Sequence, residues 1–240
     1  MKLVQVMFTI FTNMPDLNNS TATVKRLLRV FDDDEVMFNS LQLLNVIDNT
    51  ANVIDRPQVI NQKSKWRIEF LPERINFVQE FDKETNFSNN LIEEKSKIAF
   101  KYMKNLCEEF GFKGSRFAFN SNYIVEKDKN IESSNFIVCN SKDDMKLHEW
   151  NTRKTFRQPI KLLQIDEVLN VIEEVSLLKN NQIVINGKQI KLDGLLVHYD
   201  INTLFYKKGE RLKIDEFEVF LENACSIEVE KIKYFKEELA

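Results

Sequence analysis

Hydrophobic and polar residues alternate along several short stretches of the chain, a pattern typical of β-strands with one buried face. The clearest case is Lys65–Leu71, where Trp66, Ile68 and Phe70 occupy every second position and should share one face. A second apolar run follows at Arg74–Phe81, and the Pro72-Glu73 pair between the two runs is typical of a tight reversal. The pattern predicts an antiparallel strand pair with one face in solvent.

Three other stretches carry apolar residues three or four positions apart, which predicts amphipathic helices. The longest internal one runs over about Ser88–Phe110 and is followed by Gly111, a common residue just past a helix end. A shorter helix is expected after Ser20 or Thr21, either of which can cap it. A long amphipathic helix is predicted to close the chain over Asp215–Leu239.

The remaining extended patterns give a strand-rich chain. Asn186-Gly187 lies between two apolar runs and is a strong hairpin signal. The segment Val168–Leu178 fits either a helix or a strand. Strands are also predicted at residues 2–12, 36–47, 52–60, 116–125, 136–140, 150–163, 182–185, 189–192 and 195–202.

The order of these elements predicts the fold class. Runs of strands precede single long helices, whereas a parallel doubly wound sheet would alternate strands and helices. We therefore predict an α+β fold with two lobes, each a mainly antiparallel sheet packed by a long helix. The N-terminal lobe is assigned to residues 1–126, a charged linker or loop to 127–134, and the C-terminal lobe to 135–240.

Composition then excludes several kinds of site. The five glycines form neither a G-x-G-x-x-G nor a P-loop pattern, which argues against a Rossmann cofactor site and a P-loop nucleotide site. The three cysteines lack a C-x-x-C spacing, so a disulfide framework or zinc cluster is not expected. His198 and Asp200 share one strand face, but a nucleophile would have to come from Cys139 or Cys225. We predict no catalytic residue, no metal site and no cofactor.

The densest mixture of basic and aromatic residues lies at 148–161. Cations in such a segment can hold a phosphate backbone and its rings can stack on bases, so it is a candidate nucleic-acid site. A sheet strand with aromatic side chains in the core and solvated cations outside explains the same pattern and is the favoured interpretation. The candidate residues are Trp150, Arg153, Lys154, Phe156, Arg157 and Lys161.

The apolar face of the C-terminal helix is unusually wide. Packing against both its own sheet and a second subunit would account for that width, so we predict a homodimer. The interface residues expected on this face are Phe217, Phe220, Ile227 and Phe235.

The start of the chain indicates a cytoplasmic protein without a membrane partner. Val4–Phe11 is the longest early apolar stretch, and it is too short to span a bilayer and lacks the features of a signal peptide. The formal net charge of −3 neither favours nor excludes a nucleic-acid partner.

Several stretches of the chain together form a pattern. They are Trp66–Phe70, the turn Pro72-Glu73-Arg74, Asn76-Phe77-Val78, a helix, Arg116–Asn120 leading to Tyr123, and Asp200-Ile201-Asn202 before the closing helix. This pattern resembles a sporadically distributed family of uncharacterised bacterial proteins of about this length, often found near mobile or defence loci. The resemblance implies an α+β, dimeric architecture and transfers no site residues.

The sequence therefore predicts a non-enzymatic interaction protein, homodimeric and working in a bacterial defence or mobile-element system. Its protein partner is not predicted. The alternative is a nucleic-acid-binding protein that uses residues 148–161, with or without metal-dependent cleavage.

Overall fold

The computed structural model describes residues 1–14, 17–31, 35–47, 50–82, 85–126, 150–185, 188–206 and 209–239. Nine strands and three helices lie within these ranges. In chain order they are β1 (Lys2–Phe11), α1 (Thr21–Val30), β2 (Met37–Ile47), β3 (Thr50–Asn61), β4 (Trp66–Leu71), β5 (Arg74–Glu80), α2 (Asn89–Phe110), β6 (Arg116–Glu126), β7 (Trp150–Lys161), β8 (Asp166–Ile185), β9 (Lys188–Thr203) and α3 (Ile214–Leu239).

The nine strands form one sheet in the order β2-β3-β4-β5-β1-β6-β9-β8-β7. All neighbouring strands are antiparallel, and the first strand, β1, lies in the middle between β5 and β6. The predicted hairpin at Pro72-Glu73 is present, because Leu71 of β4 faces Arg74 of β5 across the turn. An antiparallel sheet with separate helices is an α+β fold, as the sequence predicts.

The helix boundaries follow from capping. The Ser20 side chain accepts a hydrogen bond from the Thr23 amide at the start of α1, and Ser88 does the same for Leu91 at the start of α2. These bonds satisfy amides that have no partner within the first helical turn. Helix α2 ends at Gly111, whose φ of 71° is readily adopted only without a side chain.

All three helices pack on one face of the sheet. Strand pairing aligns Phe8 with Phe77 on one side and Phe119 on the other, so that the three rings share this face. Tyr102 of α2 lies over the same face, with its ring centroid 4.8 Å from that of Trp66. Buried residues from β1 through α3 belong to one hydrophobic cluster. The two predicted lobes therefore contribute to one core.

The structure settles the one segment that the sequence left open. Residues 168–178 are strand and lie within β8. The sequence pattern was ambiguous because two adjacent glutamates interrupt it. Glu173 is buried and Glu174 is half-buried. The predicted strands 182–185 and 189–192 lie at the end of β8 and near the start of β9, where the two strands pair with each other. The predicted linker 127–134, the predicted strand 136–140 and the Asn186-Gly187 turn lie outside the described residues, and the domain division stays a prediction.

Two hairpins extend past their neighbouring strands in the described part of the chain: the end of the β8–β9 hairpin continues beyond β6 and β7, and the β2–β3 hairpin continues beyond β4. Strand β3 pairs with β4 only from Gln58 to Asn61, whereas its pairing with β2 continues to Thr50. The β2–β3 ribbon, defined as residues 41–47 and 50–56, is therefore two-stranded and projects past the end of β4. Its outer strand, β2, is one of the two edges of the sheet.

Candidate interaction site

The projecting ribbon exposes a pair of apolar side chains. Leu44 of β2 lies directly opposite Val53 of β3, and 70% and 63% of their surfaces are in solvent. Met37, at the other end of the same edge strand, is also 52% exposed. Large apolar side chains clustered on a projecting element commonly mark a contact surface.

The sequence of β2 leaves its edge unprotected. Its eleven residues contain no charged residue and no proline. An edge strand offers unpaired N–H and C=O groups, and natural proteins usually block such edges with charges, proline or bulges. The sheet edge at β2 is therefore open to pairing with another strand.

Buried contacts hold the base of the ribbon in place. The Arg56 guanidinium is only 2% exposed and donates from Nη1 to the carbonyl oxygens of Met14, at 2.6 Å, and of Leu17. The Asn19 amide donates to the Asp55 carbonyl at 3.2 Å. The chain after β1 thus packs against the ribbon's base, while the Leu44–Val53 pair beyond it faces solvent.

The opposite edge, β7, has the contrary composition. It carries four cations and Pro159 in twelve residues. Alternation divides the predicted nucleic-acid residues between two faces: Phe156 lies on the helix side, where the Lys231 ammonium sits 3.6 Å from its ring centroid. Lys154 lies on that same side, 3.5 Å from Glu173. Trp150 is half-buried against the core.

The other three predicted contacts project from the second face of β7. Arg153, Arg157 and Lys161 are exposed and lie four residues apart, which gives a row of cations at a spacing of about 13 Å. The paired positions on β8 are Glu174, Asn170 and Asp166, of which two are acidic; the cations are therefore partly offset by neighbouring charge. The structure therefore places three of the four predicted basic residues on the face opposite the aromatic ones, and only Lys154 shares their face.

The residues predicted for a dimer interface lie in this chain's own core. Phe217 and Phe220 are fully buried and pack on Phe117 of β6, at ring-centroid distances of 4.9 and 5.7 Å. Ile227 and Phe235 are 6% and 2% exposed. The wide apolar face of α3 is explained by burial against the sheet and α2, and it needs no second subunit. The homodimer itself stays a prediction.

A buried polar cluster beneath α3 is a feature that the sequence analysis missed. Glu228 is fully buried, and its Oε1 accepts hydrogen bonds from the hydroxyls of Tyr123, at 2.6 Å, and Ser121. Burial raises the pKa of Glu228 to about 7, although the two hydrogen bonds act in the opposite direction. The signal available in the sequence was a glutamate within an otherwise apolar helix face, between Ala224 and Ile232.

Tyr199 extends this cluster. Its hydroxyl and Glu228 Oε2 are buried and have no hydrogen-bond partner within the described part of the chain. Burial, together with the negative charges of Glu173 and Glu228, raises the pKa of Tyr199 well above its usual range. Both side chains are fully buried, so the cluster lies in the core.

His198 and Asp200 do not hydrogen-bond to each other but to other side chains. His198 Nδ1 lies 2.9 Å from Asn122 Oδ1, and Asp200 accepts a 2.9 Å hydrogen bond from Asn202. Cys225 is buried in the helix layer, on the other side of the sheet from His198, and burial and the charge of Glu228 raise its pKa to about 12. Such a thiol is a poor nucleophile. Cys139 lies outside the described residues.

Two kinds of feature are absent from the described residues. Among them, no group of three or more histidine, cysteine, aspartate or glutamate side chains is placed to hold a metal ion. No helix in the described ranges has the length and apolar character needed to cross a membrane.

Comparison with known proteins adds no assignment. Neither a protein-family model nor a curated protein matches this chain.

Proposed function

We propose that this chain is a non-enzymatic interaction protein that forms a homodimer through the β2–β3 ribbon. The observation that carries the proposal is the exposed Leu44–Val53 pair beside the uncharged edge of β2. The family resemblance supports a place in a bacterial defence or mobile-element system.

The proposed occupant of the edge is a second copy of the chain, for a reason of charge. Two copies of β2 can pair antiparallel about a two-fold axis without bringing any like charges together. Pairing of β7 with itself would instead bring its four cations close to the four cations of the second copy. The two edges of the sheet thus differ in the way expected if one is an interface and the other is protected.

We also infer that the single sheet is built from two lobes. In each half of the chain, the first strand pairs with a later strand, and a long helix follows that later strand. The strands and helix are β1, β5 and α2 in the first half and β6, β9 and α3 in the second. The shared order supports one long helix for each lobe. This division assigns β6 to the C-terminal lobe, whereas the sequence prediction placed it within residues 1–126.

Nucleic-acid binding along β7 is the second candidate function. It is supported by the row formed by Arg153, Arg157 and Lys161 on one side of an edge strand. The alternative needs only the phosphate backbone as ligand, because the aromatic residues of the segment lie on the other face.

The dimer is tested by measuring mass in solution with light scattering. The wild-type chain should have twice its chain mass of 28.4 kDa. Leu44→Lys should return the monomer mass, because it places a charge on the proposed interface at a side chain that the fold leaves exposed. Leu163→Lys, at a leucine that is 57% exposed between β7 and β8, is the matched control and should stay dimeric. A monomeric wild-type chain at tens of micromolar would exclude the dimer.

A further inference from the structure

A groove runs between helices α2 and α3 on the outer side of the helix layer. Its volume is about 510 Å³. The two helices are antiparallel here, since Lys104 near the end of α2 pairs with Asp215 at the start of α3, at 3.3 Å. The groove spans Asn89 to Phe100 on α2 and Glu218 to Val229 on α3, a length of about 16 Å or three helical turns.

The floor and the rim of the groove differ in chemistry. The floor is formed by Phe100, Leu221, Cys225 and Val229. The rim carries three exposed glutamates, Glu93, Glu218 and Glu222, against one lysine, Lys97.

The rim carboxylates are available to an incoming cation. None of the three forms an ion pair with another side chain in the described ranges of the chain. Their field reaches the floor, because Glu93 and Glu222 are among the charges that raise the pKa of the Cys225 thiol, after its burial and Glu228.

We propose that this groove binds a basic amphipathic helix of about three turns from a partner protein. An apolar stripe on that helix would cover the floor, and lysine or arginine side chains on its flanks would pair with the rim glutamates. A second copy of this chain is a poor occupant, because its corresponding helix face would bring the same carboxylates into contact. The groove is separate from the β2–β3 ribbon, so this inference does not depend on the dimer.

The test uses a fluorescently labelled peptide of about 15 residues, composed of leucine and lysine in an amphipathic helical pattern. We expect it to bind the full chain, with an affinity that falls as salt is raised. Glu222→Lys, which reverses a rim charge, and Ser226→Trp, which fills the groove, should each weaken binding about tenfold or more. Glu222 and Ser226 are both exposed, so neither change should disturb the fold.

The control variant is Glu237→Lys, which makes the same charge change at an exposed position of α3 outside the groove. It should bind the peptide nearly as well as the wild type. The proposal is overturned if the peptide does not bind, if Glu237→Lys weakens binding as much as Glu222→Lys, or if Ser226→Trp has no effect. Equal binding of a peptide with glutamate in place of lysine would also overturn it. Repeating the assay on Leu44→Lys, the variant designed to be monomeric, shows whether peptide binding is independent of the dimer. We expect Leu44→Lys to bind the peptide as the wild type does.

Discussion

The phenol of Tyr123 donates a 2.6 Å hydrogen bond to Oε1 of Glu228, and both groups are buried beneath α3. Burial and the neighbouring carboxyl group also raise the pKa of Tyr123. The pair therefore places a titratable carboxyl group in the core at a position where its charged form is disfavoured.

This arrangement makes stability depend on pH. The pKa of Glu228 is about 7 in the folded chain, against 4.5 for an ordinary glutamate. Because the folded state binds the proton more tightly, the contribution is complete below about pH 4.5 and is lost as pH rises toward 7. The loss over this interval amounts to roughly 3 kcal/mol in the free energy of unfolding.

Glu228→Gln should remove this pH dependence, because the amide does not titrate. Chemical denaturation of variant and wild type between pH 4.5 and 8 measures the difference in unfolding free energy, which we expect to shift in favour of the variant as pH rises. Glu230→Gln, at an exposed residue of the same helix, is the control. Parallel pH profiles for Glu228→Gln and wild type would contradict the assignment.

Phe217→Ala separates a core role from an interface role. Phe217 is fully buried against Phe117 and Phe220, so truncation should lower the free energy of unfolding by about 3–5 kcal/mol. The mass of the folded fraction in solution should not change. If the variant kept its stability and dissociated into monomers, the side chain would instead lie at a subunit contact.

Arg56→Met should loosen the base of the β2–β3 ribbon. The substitution keeps an apolar stem but removes the guanidinium donor from the Leu17 carbonyl and from the Met14 carbonyl, which still accepts from the Leu17 amide at 3.3 Å. We expect a loss of about 3 kcal/mol in stability and faster hydrogen exchange at the Asn19 amide, which bonds to Asp55. An unchanged exchange rate at the Asn19 amide would show that Arg56 does not hold the base of the ribbon in place.

The second candidate function predicts a local effect on β7. Arg153→Ala combined with Arg157→Ala should weaken binding of labelled DNA or RNA and reduce the slope of affinity against salt. The control, Lys25→Ala with Lys233→Ala, removes the same charge from exposed helix positions. Equal affinities for the two double variants would remove β7 as a nucleic-acid site.

Local pattern predicted much of the fold. Alternation in Trp66–Phe70 is confirmed as β4, and of the two caps predicted for α1, Ser20 or Thr21, Ser20 is the one observed. The helix predicted from about Ser88 is confirmed as α2, with Ser88 as its cap. Each of these depends on residues close in sequence. The ambiguous segment 168–178 needed its partners, because only pairing with β7 and β9 shows why Glu173 lies on the buried face.

The candidate sites were less predictable, because they depend on distant residues. Whether the aromatic face of α3 meets its own sheet or a second subunit is decided by Phe117, about a hundred residues away in sequence. The exposure of Leu44 follows from where β4 ends and not from its neighbours in β2. The exclusions drawn from glycine and cysteine spacing needed no such information.

The central position of β1 has a consequence for synthesis. Its partner β5 emerges from the ribosome well before its other partner, β6, with α2 between them. We expect the nascent chain to pair β1 with β5 first and to hold the other edge of β1 open until β6 arrives. Completion of the sheet is then a late event, and the unpaired edge of β1 is exposed during that interval.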